Sequence, residues 1–147
     1  MNKFAFALDC SAALQTSAYS APADCPQGIV EVERSKSTDY FVEPVVFDDR
    51  LEVFVNGTLA RTWHFNQDRP EQFKLIFRDK RVNEVRFVGI NRPYQPYDHD
   101  RNPGCIAFHI SATTVSVDCV YAGSWELPEV QTMLDHTYKF IDPSMPN

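Results

Sequence analysis

Apolar residues recur at every second position over short stretches of this chain, and Pro, Gly and Asn punctuate the gaps between them. That is the pattern of half-buried β-strands joined by turns. Residues 28–33 alternate Ile29, Glu31 and Glu33 against Val30 and Val32, and read as a strand. Residues 40–47 are aromatic and β-branched, but Pro44 restricts them to an edge or a bulged strand, since proline has no N–H for a ladder. Residues 51–55, Leu-Glu-Val-Phe-Val, lead into Asn56-Gly57, the dipeptide that suits a type I′ turn, and residues 58–65 return as the partner strand. Further strands are predicted over 73–77 and 84–90, and a hairpin over 105–120. Pro128 suits a first helical turn, and Val130, Met133, Leu134 and Ile141 follow at helical spacing. The expected architecture is therefore all-β: an antiparallel, jelly-roll-like β-sandwich with one C-terminal helix.

In the hairpin, Ile106, Phe108 and Ile110 alternate on one arm, and Val115, Val117 and Cys119 on the other. Pairing residue 105 with 119 would send the two apolar sets to opposite faces. A slip of one residue restores a common apolar face and separates the cysteines. A bulge would reconcile both, so a Cys105–Cys119 disulfide and a bond from Cys25 to either of them stand as alternatives. Trp63 and His64 are adjacent on a strand and should take opposite faces, one in the core. Trp125 reads as a core residue. His109 should point away from Phe108 and Ile110, and His136 should lie exposed on the helix.

Composition sets the setting. At 147 residues with 44% hydrophobic and 13% aromatic content, the chain can bury a sizeable core. Its net charge of -6 argues against a nucleic-acid partner, which needs a basic face. No apolar run reaches the roughly 20 residues that span a bilayer. Lys3, the run Phe4-Ala5-Phe6-Ala7-Leu8 and the small residues before Ala21 read as an export signal over residues 1–20, followed by one domain over 21–147, although Asp9 interrupts the apolar stretch. With an even count of four cysteines, the expectation is a secreted or periplasmic, disulfide-bonded protein.

Two segments carry candidate chemistry. Asp48-Asp49 precedes a strand, and adjacent carboxylates there can hold a hard cation if other loops add oxygens, calcium being the candidate ion. Residues 91–104 form a long proline-stiffened connection containing Tyr94, Tyr97, Asp98, His99, Asp100 and Asn102. The tyrosines can stack on a sugar ring or anchor a protein partner, and the Asp-His-Asp trio offers metal or hydrogen-bonding groups. The bland alternatives are a polar turn and a solvated connection. Asn56-Gly57-Thr58 is a glycosylation sequon inside a tight turn, where chance is the better reading. There is no Gly-x-Ser-x-Gly, phosphate-cradling loop or His-Glu-x-x-His.

The run Asp48-Asp49-Arg50-Leu51-Glu52-Val53-Phe54-Val55-Asn56-Gly57 resembles a segment of galactose-binding-like and PA14-type β-sandwich domains. The resemblance covers about ten residues. It implies Asp48 and Asp49 as calcium ligands, with the ion ordering a sugar's hydroxyls, and a later asparagine, Asn91 or Asn102, completing the set. The leading expectation is thus an exported, non-enzymatic binding module for carbohydrate, assisted by calcium. The rival is a protein-interaction module, such as an inhibitor, immunity protein or adhesion subunit, using the 91–104 connection.

Overall fold

Asn56 and Gly57 both adopt positive φ, 50° and 79°, as a type I′ turn requires. They join strand β3 (Arg50–Val55) to β4 (Thr58–His64). In the computed structural model, which describes residues 25–47, 49–65, 68–92, 104–121 and 131–147, the other strands are β1 (Gln27–Glu33), β2 (Phe41–Phe47), β5 (Phe73–Lys74), β6 (Val82–Asn91), β7 (Gly104–Ile110), β8 (Ser116–Tyr121) and β9 (Gln131–Ile141). They make a five-stranded sheet, β1-β9-β6-β3-β4, and a four-stranded sheet, β5-β2-β7-β8. All pairings are antiparallel except β1 with β9.

The sheets meet through alternate side chains. Phe87 of β6 stacks on Phe108 of β7 with ring centroids 4.3 Å apart, and Trp63 lies against Phe47 and Phe73. Tyr40 and Phe77 close on Phe140 at 5.5 and 4.9 Å. Each aromatic buries a large apolar surface, and the offset and edge-on geometries suit ring quadrupoles. Gly89 of β6 reflects this closeness: a Cβ there would meet the Ile106 Cδ1 of the facing sheet, which would have to move aside.

The β7–β8 hairpin takes the slipped register, Ile106 opposite Cys119 and Phe108 opposite Val117, so both apolar sets face inward. Cys119 then bonds Cys25, with Cα atoms 5.1 Å apart and a sequence separation of 94. The sequence alternative that survives is therefore Cys25 to Cys119, and Cys105–Cys119 is not formed. Pro44 sits at a register shift in the β2–β7 ladder, the bulge that its missing N–H favours. The strand expected over 73–77 shrinks to β5, after which Leu75 donates its N–H to the Tyr40 carbonyl.

The C-terminal helix is a correction. Residues 131–141 form β9, which lies between β1 and β6. Leu134, His136, Tyr138, Phe140 and Asp142 are all buried, at strict period two. The helical reading counted Met133, Leu134 and Ile141 and overlooked this alternation because a histidine and a tyrosine carry part of it. His136, expected exposed, is accordingly buried and makes an edge contact with Tyr138, ring centroids 4.5 Å apart. Pro128 and Val130 lie outside the described residues. Trp63 is fully buried, as one of the Trp63–His64 pair should be.

Where β1 and β9 end side by side, Arg34 and Asp142 form a buried ion pair at 3.5 Å. The Arg34 guanidinium also lies over the Phe77 ring and donates to the Lys80 carbonyl. Asp142 accepts from the Ser144 N–H and hydroxyl, and this hydroxyl bond is the main reason its carboxyl is held below the usual range. Arg34 Nε and Asp142 Oδ2 make no hydrogen bond among the described residues, so the buried pair is compensated only in part.

Candidate functional site

Asp49 occupies the bend between β2 and β3 with φ 58°, a left-handed conformation that Asp tolerates better than most residues. Its main-chain carbonyl accepts the Phe65 N–H at 2.9 Å. Its Oδ2 accepts the Arg92 N–H at 2.6 Å, and its Oδ1 stands 3.3 Å from the Arg92 Nε. One residue thus ties two segments to the start of β3: its main-chain carbonyl holds the end of β4 and its carboxylate the first residue beyond β6. Ionised Asp accepting from both a main-chain N–H and a guanidinium forms bonds of the charge-assisted, stronger kind.

Strand polarity brings the candidate segments together. β6 ends at Asn91, paired with Gln131 at the start of β9. β3 begins at Arg50, opposite Ile90 of β6 and His64 at the end of β4. β2 ends at Phe47, opposite Ile106 near the start of β7, and Gly104 pairs with Tyr121. The connections that begin after residues 47, 64, 91 and 121 therefore leave the strands at the same end of the molecule. Asp48, Tyr94, Tyr97, Asp98, His99, Asp100 and Asn102 fall on these connections and lie outside the described residues, as does Trp125. Asn91 is fully buried at the root of the end, beneath Gly104, where a Cβ would collide with Met133.

What Asp49 can do as a metal ligand follows from its bonds: both oxygens are already engaged by Arg92, and a cation would have to displace a guanidinium. Among the described residues no group of three or more His, Cys, Asp or Glu side chains is placed to hold a metal.

The four-stranded sheet carries a second constellation on its outer face. Glu43, His109 and Ser116 stand in one row across β2, β7 and β8. His109 Nε2 is ion-paired with Glu43, whose other oxygen accepts from Gln72 at 2.6 Å. The order of acid, imidazole and hydroxyl is that of a nucleophilic triad, but among the described residues no hydrogen bond links His109 to Ser116, and the row lies on an open sheet face. It serves as a cross-strand brace.

One polar residue that sequence reasoning passed over organises the opposite end. Asn83 is fully buried, with Oδ1 accepting from the Arg78 N–H and Asn56 Nδ2 and Nδ2 donating to the carbonyls of Arg78 and Lys80. The Asn56 amide is thereby engaged, its oxygen also accepting the Glu84 N–H, so the sequon nitrogen is occupied within the fold. On the outer face of the five-stranded sheet, Arg86 clasps Asp135 through two bonds of 2.7 and 2.6 Å and lies over Phe54. That clasp lowers the Asp135 carboxyl below its ordinary value. A signal for Asn83 exists in hindsight: it keeps the inward phase of Val85 and Phe87.

Fold and site together define a class: among the described residues, an all-β arrangement of two facing sheets, stapled by a disulfide, with the roots of its longer connections at one end. No family model, curated protein or solved structure matches the chain. The disulfide is compatible with an oxidising compartment. No helix among the described residues is long and apolar enough to cross a membrane.

Proposed function

We propose that this protein is an exported, non-enzymatic binding module that takes a carbohydrate at the end where its long connections converge. The observation that carries the reading is the Asp49–Arg92 contact, which fixes the root of the 91–104 connection to the sheet. A stiff platform loses less entropy on binding than a free loop. Tyr94 and Tyr97 are the stacking groups in this reading, and Asp98, His99, Asp100 and Asn102 the hydroxyl-binding ones. The sheets are then a jelly-roll-like sandwich of the galactose-binding-like or PA14-type kind, and the Asn56-Gly57 hairpin that follows Asp49 supports that kinship. Calcium enters only through Asp48 and oxygens of the connection, because Asp49 is committed to Arg92.

A glycan array, followed by calorimetry on any hit, tests the proposal. The expected result is a sugar whose binding is lost in the Tyr94→Ala, Tyr97→Ala double variant at unchanged melting temperature. A blank array, or a hit indifferent to both substitutions, overturns it. Chelator in the same titrations reads the calcium component.

A further inference from the structure

Among the described residues β1 is an edge strand whose neighbour is β9, so one row of its main-chain N–H and C=O groups is unpaired by any of them, a ready template for another extended segment. Its seven residues are almost wholly open to solvent: Ile29 is 62% exposed and Val30 46%, and nothing stands within 4 Å of where a Cβ at Gly28 would be. Val32 packs against the core, so Val30 shares its inner face, while Ile29, Glu31 and Glu33 take the outer one.

Among the described residues the charges on that edge are unmet. Lys139, directly across from Glu31 on β9, sends its ammonium toward Glu84 at 4.0 Å. The next cations along the chain are committed elsewhere, Arg34 to Asp142 and Lys36 to Asp79. The edge thus offers an apolar residue and two uncompensated glutamates at alternate positions, beside a valine pair on the other face. A second copy of the chain is a poor occupant, because it would set both copies' glutamates along one ribbon in molecules that each carry a net charge of -6.

We propose that β1 is a docking edge for an extended basic segment of a protein partner, added as a sixth strand. The partner's main chain would pair with β1, its Lys or Arg residues at alternate positions would lie against Glu31 and Glu33, and its intervening apolar residues would cover Val30 and Val32. This surface is separate from the loop end and independent of the carbohydrate reading.

The test uses the full chain and a capped peptide of roughly six residues alternating Val and Arg. Fluorescence anisotropy should show binding that weakens with salt and falls by about tenfold or more in the Glu31→Lys, Glu33→Lys variant. Glu31→Gln, Glu33→Gln keeps the shape of the edge and should give an intermediate loss, so the result does not depend on one variant folding. The same peptide N-methylated at alternate positions cannot pair its main chain and should not bind. Equal binding by the lysine variant, or by the methylated peptide, overturns the proposal. Concentration-dependent dimerisation of the wild type that the lysine substitutions abolish would give the edge to a second copy and also overturn it. Glycan binding should be unchanged in all these variants.

Discussion

Phe87 and Phe108, from opposite sheets, lie with their rings 20° from parallel and 4.3 Å apart. Phe87 is flanked edge-on by Tyr138, so this stack couples β6, β7 and β9. Phe108→Ala should cost about 3–5 kcal/mol, since neither sheet can collapse into the space. Urea unfolding measures it, and a loss within about 1 kcal/mol of zero would show the sheets to be held elsewhere.

Asn83 makes four hydrogen bonds from a fully buried side chain. Asn83→Leu keeps the volume but strands the Arg78 N–H and Asn56 Nδ2. We expect about 1–3 kcal/mol of destabilisation, together with faster hydrogen exchange at Arg78. An unchanged melting temperature would contradict this.

Acid should weaken the fold through Asp142 and Asp135. Both carboxyls are held below their ordinary value of 3.8, Asp142 chiefly by the Ser144 hydroxyl and Asp135 chiefly by Arg86. A depressed folded-state value means that the stabilisation is present above the unfolded value and fades as pH falls through the folded one. The loss therefore begins near pH 3.8 and deepens below it. Asp142→Asn should flatten that acid limb; an unaltered limb would exclude Asp142 from it.

Alkali acts through Tyr138, whose phenol burial pushes up from 10 to about 12. The raised value reverses the sign: stability is intact below pH 10 and declines between there and about 12, as the unfolded chain ionises first. Tyr138→Phe should remove that contribution to alkaline unfolding, read by circular dichroism against pH.

Replacing Cys25 and Cys119 by alanine opens a 94-residue loop and should cost about 2–5 kcal/mol. Peptide mapping without reductant should recover the two cysteines in one linked fragment, and a linked Cys105–Cys119 fragment would contradict the register of β7 and β8.

The elements most legible in sequence were those whose signals were local. Asn56-Gly57 marked its turn because two positive φ angles need those residue types, and the observed β7–β8 register is one of the alternatives that the alternation of Ile106, Phe108, Val117 and Cys119 left open. β9 was misread because His136 and Tyr138 fill core positions without an obvious apolar signature. The Asp49–Arg92 contact joins residues 43 apart, and nothing near either one announces it. The sequence around Asp49 shows a carboxylate that could take a metal, while its guanidinium partner arrives from just beyond β6. Asn83 was hidden similarly, as a polar residue in an inward phase whose four partners become visible only when two turns meet.

Because β9 lies inside its sheet, between β1 and β6, synthesis and folding cannot proceed in step. While a ribosome is still translating residue 130, β1 and β6 lack β9, the strand that lies between them. The five-stranded sheet can close only once residue 141 has cleared the exit tunnel. The nascent chain therefore carries Phe87 without its Tyr138 flank until the last strand emerges, the interval in which a holding chaperone would matter most.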